Sequence, residues 1–194
     1  MRVHLGMIAC AALLPLIVPV TTLAQEPEQD EAMAPYIAAA TPGEEHGWLA
    51  SMAGEFEVTT KMWMDPSAEP TVSTSSQEAE MALGGRYLMD HYQGSIFGMP
   101  FEGVGITGYD NTLGKFVSSW IDNMGTGIIH SVGERDEEGR LVMVGEYEDP
   151  ASGMMMKIKS VTWMTDEGYM AEMYNILPDG SEFKSMEFTG KRRD

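Results

Sequence analysis

The sequence predicts an all-β protein, an antiparallel meander of about ten short strands closing as a barrel behind one short N-terminal helix. Three observations point there. From Phe56 the apolar residues recur with a period of two: Phe56, Val58, Met62 and Met64 alternate with Glu55, Glu57, Thr59 and Lys61. The segments between such runs carry hairpin chemistry, a glycine with Asp, Asn or Glu upstream, as in Asp110-Asn111-Thr112-Leu113-Gly114, Asp166-Glu167-Gly168 and Pro178-Asp179-Gly180. No helix long enough for a βαβ crossover separates them, and closure removes the edges that a long meander would expose.

In chain order, Met1 to Gly6 carries Arg2, Met7 to Val20 is almost wholly apolar, and Thr22-Leu23-Ala24 offers small residues for a signal peptidase. The expectation is a leader over 1–24 cleaved after Ala24, and a periplasmic or secreted mature chain. Pro15 and Pro19 interrupt the apolar run, which argues against an uncut membrane anchor. Cys10, the single cysteine, precedes most of that run, so neither lipid attachment nor a disulfide is expected. The formal net charge of −18 repels nucleic acid and anionic lipid surfaces. No nucleic-acid partner and no membrane insertion after cleavage are therefore expected.

Residues 25–43, with the acidic run EPEQDE and then an alanine-rich stretch, read as a flexible N-terminal segment, and 44–194 as a single barrel domain. Thr41-Pro42 resembles an N-cap followed by proline at the first helical position, with Glu44 and Glu45 suiting the helix dipole. A short helix through Met52 follows, with Trp48, Leu49 and Met52 on one side, and Gly54 ends it. Strands are then expected from Phe56, over Thr71–Leu83, Arg86–Gln93, Phe101–Tyr109, Lys115–Asp122, Thr126–Glu134, Arg140–Tyr147, Met154–Met164, Tyr169–Leu177 and Ser181–Lys191.

The ordered series Leu83-Gly84-Gly85-Arg86-Tyr87, Phe101-Glu102-Gly103, Gly108-Tyr109-Asp110 and Trp120-Ile121-Asp122, with a later Gly133, Asp149-Pro150 and Gly153, resembles the bacterial domain-of-unknown-function family numbered 1579. The likeness runs from His46 to about Phe188. It implies a calycin-like barrel, similar to lipocalins and fatty-acid-binding proteins, and implies no activity or catalytic residue.

No nucleophile elbow, zinc-protease helix, phosphate loop or dinucleotide fingerprint occurs, so no enzyme chemistry and no cofactor are expected. Arg86, Asp90 and Tyr92 share strand parity and could grip a carboxylate or another polar head group, with Glu102 a further charge in the central hairpins. The competing reading makes theirs the solvent face, with Tyr87 and Met89 inward. If Asn123-Met124-Gly125 is a three-residue loop, Asp122 pairs with Thr126, Trp120 opposes Ile128 and Ser118 opposes His130, placing Trp120 and His130 on one face. That would be a pocket wall with a titratable point, or a core tryptophan beside a satisfied histidine. Asp110 and Asp122 read as turn-formers.

Methionine is abundant, 18 residues including Met154-Met155-Met156. Thioethers could bind copper(I), but neighbours on a strand point to opposite faces, which favours an adaptable apolar lining over a metal site. The leading expectation is an exported barrel holding a small, largely apolar ligand, with Arg86, Tyr92, Glu102, Trp120 and His130 as candidate contacts where their faces point inward. A filled barrel serving as a structural or protein-interaction module is the alternative, and a copper(I) binder a third.

Overall fold

The period-two pattern folds into ten antiparallel strands in the computed structural model, which describes residues 27–150 and 152–193. They are β1 (Gly54–Met62), β2 (Thr71–Ala82), β3 (Tyr87–Ile96), β4 (Met99–Asp110), β5 (Lys115–Asp122), β6 (Ile129–Arg135), β7 (Leu141–Glu148), β8 (Met155–Thr165), β9 (Gly168–Ile176) and β10 (Glu182–Arg192). Each strand pairs with its sequence neighbours, and β1 pairs with β10 to close the barrel. The expected leader lies outside the described residues. Among those described, no helix is long and apolar enough to cross a membrane.

The chain divides into two units after Pro35, and the barrel belongs to the second. Helix α1 (Pro27–Ala40) occupies the segment read as irregular. It is alanine-rich and has no amphipathic stripe, so propensity rather than a buried face accounts for it. Thr41 ends α1 instead of starting the next helix: its hydroxyl donates to the Ile37 carbonyl at 2.6 Å. Asn111, in the β4–β5 turn, donates through Nδ2 to the carbonyls of Ala39 at 3.1 Å and Thr41 at 2.8 Å, satisfying groups that a helix end leaves open.

Helix α2 (Glu44–Ser51) starts at Gly43, whose N–H donates to His46 Nδ1 at 3.0 Å. It closes one end of the barrel. Leu49 is 0% exposed and belongs to one cluster with the inward-facing Phe56, Leu88, Phe116, Leu141 and Tyr169. Burying each such side chain contributes about 1.5–3 kcal/mol. Polar ties hold the helix at both ends: Arg135 donates to Glu45 from Nε at 2.7 Å and Nη2 at 3.0 Å, and Arg192 donates to the Ala53 carbonyl at 2.7 Å and that of Ser51 at 3.1 Å.

The β5–β6 register differs from the expected one by one residue. Trp120 opposes Ile129, Ser119 opposes His130 and Ser118 opposes Ser131. Asn123 is the cause. Its N–H donates to the Glu102 carbonyl at 3.0 Å, its Oδ1 accepts from the Glu102 N–H at 3.1 Å, and its Nδ2 donates to the Pro100 carbonyl at 3.1 Å. Asn123 therefore continues the contact with β4, the reversal starts after it, and β6 begins at Ile129. A slip of one residue moves a whole strand's side chains to the other face.

Candidate functional site

The site is built on β3, and its faces follow from register. Ala79 opposes Asp90, Gln77 opposes Tyr92, and Gln77 and Ala79 are buried on β2. Leu88, Asp90 and Tyr92 therefore form the inward row of β3. This overturns the solvent-face reading, in which Tyr87 and Met89 point inward. The row looked like a surface because a carboxylate interrupts it.

Asp90, Tyr92 and Trp120 line a cavity of about 190 Å³ inside the barrel. Leu49 of α2 and Met52 just after it line its helix end, and Leu88, Leu141 and Met143 supply an apolar side. The other side is polar. Gln77 Nε2 donates to Asp90 Oδ1 at 2.7 Å, whereas Asp90 Oδ2 has no hydrogen-bond partner among the described residues. Gln77 Oε1 is buried and likewise unpartnered among them. The Tyr92 and Tyr169 hydroxyls lie 3.1 Å apart; one donates to the other, leaving the acceptor's own O–H free.

Burial raises the Asp90 carboxyl to about 6, against the opposing effect of the Gln77 bond. Asp90 is partly accessible and lines the cavity, and desolvation outweighs the Gln77 bond in setting its ionisation. Burial also pushes the phenols of Tyr92 and Tyr169 well above their usual range, and the nearby Asp90 carboxylate adds to the effect.

Trp120 is held by geometry that the glycine spacing makes possible. Its Nε1 donates to Asp122 Oδ2 at 2.8 Å, and its ring lies across the bare backbone of β4. A Cβ on Gly103 would meet Trp120 Cζ2 at 2.4 Å. Tyr92 meets the indole edge-on at 5.5 Å between centroids, and Phe101 stacks on it at 6.5 Å. Gly103→Ala is expected to displace the ring, shifting the Trp120 indole N–H resonance and lowering stability by about 1–3 kcal/mol in urea titration.

The other candidates lie outside the cavity. Arg86 precedes β3 in the Leu83–Arg86 turn, where Leu83, Gly84 and Gly85 have φ of 48°, 68° and 82°, and its Nη1 donates to the Leu83 carbonyl at 2.9 Å. It fastens the turn and does not reach Asp90, so the carboxylate grip does not form. Glu102 is exposed on the outer face and lies 2.9 Å from His91 Nε2. His130 is exposed too, 2.9 Å from Ser119 Oγ, because the register slip carries it to the face opposite Trp120. His130→Ala is expected to change unfolding free energy by no more than about 0.5 kcal/mol, as read by thermal melting.

Asp110 and Asp122 do form turns: Asp110 Oδ1 accepts the Thr112 N–H at 2.7 Å and Asp122 Oδ1 that of Met124 at 2.9 Å. Sequence reasoning missed Gln77, Tyr169 and the hydroxyl-bearing Thr107, Ser118, Ser160 and Thr162 that complete the lining. The available signal was a polar residue within an otherwise apolar parity row, such as Ser118 between Phe116 and Trp120. Met155 is exposed at 63%, and Met156 points the other way from it along β8. Among the described residues no three His, Cys, Asp or Glu side chains converge as metal ligands.

Residues 41–192 match a family described as "Protein of unknown function (DUF1579)". No curated protein matches the chain.

Proposed function

The chain belongs to the DUF1579 family of proteins of unknown function, so its functional reading comes from the barrel, and we propose that the barrel binds one small, largely apolar molecule in its interior. The observation that carries this is the cavity of about 190 Å³ with an apolar side and an unpartnered carboxylate oxygen. A dry cavity of about 150 Å³ accepts benzene, whereas sites for drug-sized ligands run to about 300–1,000 Å³. The size therefore suits a single ring or a short chain better than a long acyl chain. A filled structural barrel would leave no such space beside a charged group, which is why the binding reading is preferred. Tyr92 and Trp120 are the proposed contacts from the original candidates, joined by Asp90.

The proposal includes export: the leader at 1–24 would direct the chain to the periplasm or medium, leaving residues 25–194 with the barrel over 44–194. Native mass spectrometry of the protein purified undenatured from its own host tests the binding reading. The expected result is a bound mass of one-ring size that indole or phenol can replace. A protein that carries no bound mass and takes up neither probe would contradict it.

A further inference from the structure

Resting on that luminal reading, we propose that the ligand is an organic cation, a protonated amine of one-ring size whose ammonium group bonds Asp90 Oδ2. Asp90 has only Oδ1 engaged, by Gln77 at 2.7 Å. An ionised carboxylate has about four acceptor positions, and an ammonium group brings three donors. Gln77 Oε1 is buried and without a partner among the described residues, so this side of the barrel is short of donors.

The cavity has no counter-ion of its own. Among the described residues lining it, Asp90 is the only charged side chain, and none is Lys, Arg or His. An entering cation would supply the missing opposite charge where water screens least, so its attraction is stronger than on the surface. The walls favour the same class. Tyr92, Trp120 and Tyr169 flank Asp90 in the lining, and aromatic faces attract ammonium groups. Gly105 lies beside both groups: a Cβ there would stand 3.5 Å from Asp90 Oδ2 and 3.3 Å from Trp120 Cε3. The upward shift of Asp90 reflects the same lack of compensation.

Competing chemistries fit less well. A fatty acid or other carboxylate would bring like charge to Asp90, with Arg86 tied to the outer turn. A neutral alcohol could donate to Oδ2 but would leave the charge uncompensated. A metal ion would find no cluster of three ionisable ligands among the described residues.

Three probes of one size and different charge, benzylamine, benzyl alcohol and benzoate, decide the matter by calorimetric titration at about pH 8, where the amine is protonated and Asp90 ionised. About 0.15 M salt suppresses diffuse attraction to the acidic surface. Benzylamine is expected to bind at least about tenfold tighter than benzyl alcohol, with benzoate weakest. Asp90→Asn is expected to abolish that preference, bringing benzylamine and benzyl alcohol to within about twofold of each other. Benzyl alcohol or benzoate binding as tightly as benzylamine would overturn the cation assignment and leave the luminal reading standing. An amine preference that survives Asp90→Asn would overturn it too. Failure of all three probes, with the Trp120 indole resonance unmoved, would overturn both, and the wild-type ranking decides even if the variant does not fold.

Discussion

Asp90→Asn raises the melting temperature by about 5 °C at pH 8, and the gain disappears at about pH 4. The sign follows from the direction of the shift. Burial lifts the Asp90 carboxyl from 3.8 to about 6, so the unfolded chain releases this proton at lower pH than the folded one. Between those values folding stability falls as pH rises, and above about pH 6 the whole cost is present, on the order of 2–3 kcal/mol. Asparagine removes the charge and keeps an oxygen that can accept from Gln77 Nε2. Other carboxylates, including Glu187 between Lys61 and Lys184, are held below their usual range and make the whole protein acid-sensitive. The difference between variant and wild type across pH isolates Asp90 from them. Equal gains at pH 4 and pH 8 in paired calorimetric scans would show that charge is not the cause.

Leu49→Ala costs about 3–4 kcal/mol and loosens α2 ahead of the strands. Leu49 is 0% exposed, seated among Phe56, Leu88 and Phe116, and the cavity left behind would merge with the existing one. The ties that remain to α2 are the edge contacts of Trp48 with Phe116 at 5.7 Å and of the buried His46 with Tyr109 at 6.0 Å, with the Arg135–Glu45 pair and the Arg192 bonds, and part-exposed ion pairs contribute at most about 1 kcal/mol. Urea titration reads the cost, and hydrogen exchange reads the order of opening. The α2 amides are expected to exchange faster than those of β3 and β4 in the variant. Unchanged α2 protection would mean that something other than this leucine holds the barrel end closed.

The strands and turns were legible because they are local. β5 occupies Lys115–Asp122, as the alternation predicts, and Asp110 shapes its turn through its own carboxylate. Faces were harder. β3 carries an apolar residue in each row, Tyr87 and Met89 in one and Leu88 and Tyr92 in the other, so composition along the strand does not say which row meets the core. Pairing with β2 decides it, through the buried Gln77 and Ala79.

The position of His130 depended on a contact remote in sequence. Asn123 bonds Glu102 and Pro100, and that grip consumes the residue on which a three-residue loop would depend. Arg86 was misplaced for a related reason: it shares numerical parity with Asp90 but belongs to a turn with left-handed backbone, where strand alternation does not apply. The polar cavity was hidden because its members come from β2, β3, β4, β5, β8 and β9, each contributing one to three residues that look incidental alone.

Everything proposed for the interior rests on β3 turning Asp90 into the barrel. Carboxyl-carbon NMR of the labelled, ligand-free protein, followed from acid to neutral pH, measures this at the group itself. The titration midpoint of Asp90 is predicted at about 6. A midpoint at the ordinary value of about 3.9 would place the carboxylate in bulk solvent and remove the site.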